Sequence, residues 1–489
     1  MGSRVLLISP NRCATPDVVF PLGLSHLNAA LRRAGHETCW LDFNADTQPF
    51  REPPHNPGVS PARTVSGESL AKLLDEFRPR FVGISVRNID DVIIRKRETY
   101  YKPLEDICAE VRRTHPCPVI LGGSGFSIFP RELLELSGAD FGIQGEGETA
   151  LLDLISALSE GKDVSSIPGL VYRRGPEIVV NPQQPAQAPE LLDCEDWPSR
   201  LVDHYLKHSG MLNLQTQRGC AHACCYCTYP LIEGRAHRNR PPEVVAEEMA
   251  RLEGRGAKYA FIVDSVFNSS PRHVTRICEA LIRRNLKIRW GCFMRPQGLT
   301  GELMEMMARA GLSHIEFGAD SFCDAVLEVY DKRLTFDDIL QSSELAHQQK
   351  LDYCHFLICG GPGETVETLE TSFQNSLRLK GAIVMACVGM RIYPGTTLHE
   401  RALREHVVAG DADLLPPTYY IAPGLKEGQI FDMLQVFAKQ SPNWIVGDPT
   451  PGYGRLVERL RARGVTGPLW SYFSLVQRIW PSTPSEAIA

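Results

Sequence analysis

Along the first third of the chain, short apolar runs alternate with stretches whose apolar residues recur at helical spacing. The runs are VLLIS (5–9), TCWLD (38–42), FVGIS (81–85), PVILG (118–122) and DFGIQ (140–144). Between them, PLGLSHLNAALRRAG repeats its apolar residues three and four positions apart and halts at Gly35, and YYKPLEDICAEVRRT and ETALLDLISALSEG do likewise. This alternation predicts an α/β architecture, a doubly wound, Rossmann-like parallel sheet over residues 1–160. Ligands of such sheets sit beyond the carboxyl ends of the strands, which here carry SPNRC, SVRNIDD, GGSGFS and QGEGET.

The alternation breaks over residues 161–211, where GLVYRRGPEIVVNP predicts a hairpin around Arg174 and Gly175 and a Pro-rich stretch reads as a linker. A second strand–helix series follows over 212–409, with strands expected at LNLQT, YAFIV, KIRWGCF, HIEFG, YCHFLI and VMACVGMRI. Six such units predict a partial (β/α)6 barrel of the TIM type, open on one side. Residues 410–489 form a C-terminal extension with Pro-rich turns, one helical stretch and several aromatics, among them Trp444, Tyr453 and PLWSYF (468–473). Those aromatics either touch substrate at the open side of the barrel or pack the extension onto it.

The charge balance, 52 basic against 58 acidic residues and a net charge of −6, offers no field for polyanions, so nucleic acid is not an expected partner. The apolar run at the N-terminus is too short for an export signal or a membrane span, and a cytoplasmic protein without membrane contact is expected. In that setting the 15 cysteines are thiols, metal ligands or core residues rather than a disulfide framework.

The stretch RGCAHACCYCTYP (218–230) concentrates Cys220, Cys224, Cys225 and Cys227 just after the first strand of the second series, at the loop face where barrels place their chemistry. A structural zinc site would need His222 or Cys225 as a fourth ligand, but zinc ligands usually come as two separated pairs and no second CxxC follows. Cys220, Cys224 and Cys227 form CxxxCxxC with Tyr226 ahead of the third thiol, and this resembles the signature of the radical S-adenosylmethionine (SAM) superfamily. The resemblance implies that these three hold a 4Fe–4S cluster whose remaining iron chelates SAM, and that Cys225 is spare. It also implies SAM contacts from Tyr226, from Asp264 in FIVDSVFN, from Arg295 in FMRP, and from Glu316 and Asp320 in HIEFGADS. Gly360 and Gly361 of FLICGGPGET resemble the glycine turn that admits the adenine, and YPGTTL (393–398) resembles the ending of the sixth strand.

The first domain, through PLGLSHLNAALRRAGHE, VGISVRNIDD, LGGSGFSIFPRE and GIQGEGE, resembles the cobalamin-binding domain of the B12-dependent radical SAM enzymes. The implied cobalamin contacts are Gly122, Gly123, Ser124 and Gly125, then Gly145, Glu146 and Gly147, with Arg87 or Asn88 beneath the corrin. No DxHxxG follows the first strand, so no histidine is offered to cobalt. The family implies a C-methyltransferase that uses one SAM to form methylcobalamin and a second as radical source, acting on an unactivated carbon of a small secondary-metabolite intermediate, free or tethered to a carrier protein. A flavodoxin- or ferredoxin-type donor would supply electrons. Three alternatives stand beside it: an oxidative cyclase or ring-rearranging enzyme, a methylthiotransferase with a second cluster, and a non-enzymatic B12- or metal-binding protein. For a second cluster Cys13 is well placed, whereas Cys39, Cys108 and Cys117 fall inside elements or before them, where small buried thiols are common.

Overall fold

A computed structural model describes residues 2–12, 18–45, 67–184, 197–447 and 459–472. Strands Arg4–Ser9 (β1), Glu37–Asp42 (β2), Phe81–Ser85 (β3), Val119–Gly122 (β4) and Phe141–Ile143 (β5) lie parallel in the order β2-β1-β3-β4-β5. β1 and β3 are buried almost throughout, as strands covered on both faces are, and their residues accordingly read as unbroken apolar runs. The strand order reverses between β1 and β3, and the crevice there is the switch point at which doubly wound sheets bind ligands.

The hairpin Leu170–Arg174 (β6) and Glu177–Val180 (β7) forms as expected, turning at Gly175 with φ +61°. It is part of the first sheet rather than linker, because β6 pairs antiparallel with β5 and Tyr172 lies opposite Phe141.

The second sheet runs β18-β15-β14-β13-β12-β11-β8, all parallel: Leu212–Leu214 (β8), Tyr259–Ile262 (β11), Arg289–Met294 (β12), Leu312–Asp320 (β13), Asp352–Cys359 (β14), Ile383–Val388 (β15) and Trp444–Val446 (β18). Two short antiparallel pairs accompany it, Gln217–Arg218 (β9) with Arg238–Asn239 (β10), and Met390–Arg391 (β16) with Tyr419–Tyr420 (β17). Six strands were expected, and the seventh, β18, comes from the extension. Its three residues pair with β15 through contacts no local pattern announces. The expected last strand breaks at Gly389, where φ is +78° and a Cβ would meet the Ile94 side chain at 3.0 Å.

The tail settles the fate of two aromatics. Leu469 and Trp470 pack against Cys354, Ile383 and Ile445, and the Trp470 ring meets His314 edge-on at 5.7 Å. Ile383 opens its strand and His314 is the third residue of its own, so this segment packs at the floor of the barrel, its N-terminal end, away from the cysteine loop. Trp444 is buried against Phe373 and Phe437. Both are packing residues; Tyr453 lies outside the described residues.

The loop after β3 crosses to the second domain. The Asp90 carboxylate accepts from Arg391, the Arg95 guanidinium stacks 3.5 Å from the Phe431 ring, and Phe129 meets Tyr393 at 6.3 Å.

Candidate active site between the domains

The cysteine loop is held by its backbone. Cys220 N–H donates to Gly234 C=O at 3.0 Å, Cys225 N–H to Tyr330 C=O at 3.0 Å, Cys227 N–H to Cys224 C=O at 3.1 Å, and Cys225 C=O accepts from Leu398 N–H at 2.8 Å. Fixed at both N–H and C=O, Cys225 turns its thiol into the hydrophobic core, and burial pushes that thiol up to about 12. A neutral, core-packed thiol fits the spare role. Cys220 is also buried but stands outside the apolar cluster, and Cys224 and Cys227 are half-buried. Burial pushes Cys227 up to about 12 and raises Cys224, whose rise Lys332 and Arg295 oppose.

Among the described residues no three His, Cys, Asp or Glu side chains converge as a single metal ion requires. Three thiolates, from Cys220, Cys224 and Cys227, would hold a 4Fe–4S cluster and leave one iron without a protein ligand. His222 does not supply a cation, since burial, with Arg295 and Lys332 nearby, pushes it down to about 4.

Beside the thiols lies a buried polar group. Asp320 accepts from the Tyr226 hydroxyl and from Lys332 Nζ at 2.5 Å. Asp320 has φ +69°, a left-handed conformation that is costly for a non-glycine residue and accumulates at functional sites. Burial works to discharge Lys332, but Asp320 and Cys224 together outweigh it and raise the lysine's pKa. The Arg295 side chain bonds Gln297 at 3.0 Å and faces the same thiol–Asp320 group. Tyr226, Arg295 and Asp320 are therefore together, as the sequence suggested. Lys332 was missed; its sequence sign, a lysine in DKRL after a helix, is indistinguishable from a surface charge.

Two expected SAM contacts are engaged elsewhere. Asp264 is fully buried and accepts from Thr216 N–H at 2.6 Å, from the Thr216 hydroxyl and from Gln217 N–H at 3.2 Å, so its carboxylate shapes the turn leading to the cysteines. Burial pushes it up to about 7 against those hydrogen bonds. Glu316 accepts from the Trp470 indole at 3.1 Å, towards the barrel floor. Gly360 donates to the Glu364 carboxylate, and a Cβ on Gly361 would meet the Tyr330 hydroxyl at 2.1 Å. The protein's own packing demands that glycine.

In the first domain a crevice opens at the ends of β1, β3 and β4, lined by Ser9, Asn11, Leu24, Arg87, Gly123 and Ser124. Asn11 staples its walls: its side chain accepts from Arg87 N–H at 2.8 Å and donates to Asn88 C=O at 3.0 Å. The SPNRC strand end marked the place without singling out Asn11. The glycines act differently from expectation. Gly123 has φ +96° and a Cβ there would lie 2.6 Å from Val86 C=O, and one on Gly125 would lie 3.0 Å from the same oxygen, so both serve a close approach of chain to chain. Gly122 is in ordinary contact, and Gly147 packs on Leu27. Glu146 points away from the crevice, its carboxylate held by both terminal nitrogens of Arg238 at 2.5 and 2.6 Å. The polar rim and the Gly–Ser helix start of this crevice fit the polar tail of cobalamin.

The crevice and the cysteine loop adjoin. The helix Tyr229–Ile232, two residues beyond Cys227, packs on the helix Ser124–Ile128, and a Cβ on Gly145 would lie 3.5 Å from Ile232 C=O. Tyr229 keeps 41% of its surface open, yet burial of its hydroxyl raises its pKa, with Cys227, Cys220 and Arg87 all near enough to act on it. Tyr229 thus stands within electrostatic reach of both the thiols and Arg87 of the crevice.

Residues 214–374 match the radical SAM superfamily and residues 13–155 match the B12 binding domain. The chain belongs to the cobalamin-dependent radical SAM enzymes. Its cofactors are a 4Fe–4S cluster, SAM and cobalamin. Among curated relatives of this radical SAM enzyme, a tryptophan 2-C-methyltransferase of Streptomyces laurentii is 25% identical over 453 residues, covering 80% of this chain and 73% of its own. An anaerobic magnesium-protoporphyrin IX monomethyl ester cyclase of Cereibacter sphaeroides is 26% identical over 373 residues, covering 72% and 56%. Among solved structures, the radical SAM methyltransferase TsrM of Kitasatospora setae, with cobalamin and a 4Fe–4S cluster bound, superposes with a TM-score of 0.84 at 23% identity over 98% of both chains. That likeness is one of fold.

Proposed function

We propose that this enzyme, a cobalamin-dependent radical SAM methyltransferase, places a methyl group on a carbon of a small-molecule intermediate of secondary metabolism. The observation that carries the reading is the adjoining of the cysteine loop and the cobalamin crevice through Tyr229–Ile232 and Ser124–Ile128, which supports a substrate site shared by both cofactors. When bound, the cluster with SAM supplies a carbon-centred radical and cobalamin carries the methyl group. The chain's own residues bind and orient. Arg295 and Lys332 offer positive charge for a carboxylate beside the cluster, and Tyr226 and Asp320 fix the lysine's direction. Cys225 and Tyr330 anchor the loop in the core, and Asn11 holds the crevice walls. Positioning and water exclusion are what a protein adds to cofactor chemistry of this kind.

The tryptophan 2-C-methyltransferase relative favours carbon as acceptor and a small molecule as substrate. Electrons would come from a flavodoxin- or ferredoxin-type donor, and the substrate would be free or tethered to a carrier protein. Among the described residues no helix is long and apolar enough to cross a membrane. The cyclase relative favours a second reading, oxidative ring closure without methyl transfer. Turnover with methyl-deuterated SAM separates them: label in the product supports methyl transfer, and unlabelled product lighter by lost hydrogen supports the cyclase.

A further inference from the structure

A buried charge network joins the two domains behind the cysteine loop. Arg218 and Arg238 lie opposite each other in the β9–β10 pair, so their side chains run together into the first domain. There Arg218 binds Glu148 at 2.6 Å and reaches Glu146 at 3.7 Å, while Arg238 grips Glu146 with both terminal nitrogens. Glu146 and Arg218 are each 8% exposed and Arg238 14%, so water screens these pairs little. The network continues to the cluster ligands. Arg238 donates to Glu233 C=O at 2.5 Å, the Glu233 carboxylate accepts from Gly219 N–H at 3.0 Å, and Gly234 C=O accepts from Cys220 N–H. Gln215 bonds both Glu233 and Arg218, closing the circuit. Gly219 cannot yield, since its φ is +89° and a Cβ there would lie 2.1 Å from Ala236 C=O.

We propose that Glu146, with Glu148, is a positioning residue that sets the cluster-bearing loop against the cobalamin-binding domain and thereby fixes the separation of the two cofactors. The inference rests on the cofactor reading above and goes beyond it, because it gives Glu146 a task other than contact with cobalamin. Apolar contacts tolerate sliding, whereas a two-pronged arginine–carboxylate pair fixes both distance and angle. A charge pair held by two domains therefore specifies one docking geometry. Reaction between cofactors needs that geometry, since displacement of about 1 Å can cost roughly a hundredfold in rate.

The test compares the cobalamin- and cluster-loaded enzyme with E146Q, which removes the charge, and with R238K, which keeps the charge and loses the two-pronged grip. The readouts are the spin–spin splitting between cob(II)alamin and the reduced cluster in the EPR spectrum, and the rate of S-adenosylhomocysteine formation. Expected, in a variant with wild-type cobalt and iron per chain, are a weakened or broadened splitting and a rate lower by about tenfold or more, with KM for SAM within about twofold. Unchanged splitting and rate in a fully loaded variant, even one that melts earlier, would overturn the proposal and leave the cofactor reading intact. A wild-type enzyme that binds no cobalt would overturn the reading instead. If both variants shed a cofactor, amide exchange decides: faster exchange at Gly219 and Cys220 with the β13–β14 core unchanged upholds the proposal, and wild-type exchange at those two amides rejects it.

Discussion

Nε of Arg391 donates to the Asp90 carboxylate at 2.8 Å, joining a loop of the cobalamin-binding domain to the barrel across 301 positions of sequence, with both side chains buried. The same guanidinium donates to the carbonyls of Ile392, Leu414 and Leu415, so one side chain ties both domains to the C-terminal extension. Asp90→Ala leaves that charge buried without its counter-ion, and a loss of about 3–5 kcal/mol is expected in urea unfolding of the cofactor-free chain. A loss near that of an exposed ion pair, below about 1 kcal/mol, would mean the interface is wet.

The four thiols of the loop divide three to one. Cys220→Ala, Cys224→Ala and Cys227→Ala should each abolish the iron–sulfur absorbance and SAM cleavage. Cys225→Ala should keep the full iron content and lose only packing, because this thiol is packed in the apolar core. Iron per chain after anaerobic reconstitution decides it, and iron loss in the Cys225 variant would assign that thiol to the metal.

Asp264 predicts a pH dependence. Burial holds its folded pKa at about 7, above the unfolded value of 3.8. Between these values the folded state binds the extra proton, so the contribution of Asp264 to stability is intact below about pH 4, falls as pH rises towards 7, and is then level. Asp264→Asn can keep the pattern, its carbonyl accepting from Thr216 and Gln217 and its amide donating to the Thr216 hydroxyl. The stability of this variant relative to wild type should climb over that interval, by up to roughly 4 kcal/mol. A pH-independent difference would contradict the assignment.

Trp470→Phe separates the barrel floor from its active face. The ring still fills its place, but Glu316 loses the indole donor, with an expected loss of about 1–3 kcal/mol in stability. SAM cleavage should be unchanged. Failure of cleavage in a folded variant would return Glu316 to the SAM site.

Arg87→Ala should lower cobalamin occupancy without touching the cluster. Arg87 lines the crevice, and its backbone, not its guanidinium, carries the bonds to Asn11 and Ser124. Affinity lower by about tenfold, near 1.4 kcal/mol, is expected in a cobalamin titration with iron per chain unchanged.

The strands of both sheets were legible because each buried run carries its own apolar signal, and the cysteine loop because its spacing is local. What stayed hidden depends on distant partners. Lys332 looks like a surface charge until Asp320 buries it. Glu146 sits in a glycine loop that suggests a ligand, and only Arg238, 92 positions on, shows why it is acidic. Three-residue β18 is too short for a period and is defined by pairing with β15. Gly123 and Gly125 sit in a strand-end loop that suggests a ligand contact, and only the fold shows Val86 C=O of the same chain lying against both.

The most direct test of the account is the mass of the cobalt-bound alkyl group after the reduced, cobalamin-loaded enzyme meets methyl-deuterated SAM. The account predicts a trideuteromethyl group on cobalt with matching S-adenosylhomocysteine. Loaded enzyme that cleaves SAM yet leaves cobalamin unlabelled would contradict methyl transfer and favour the cyclase.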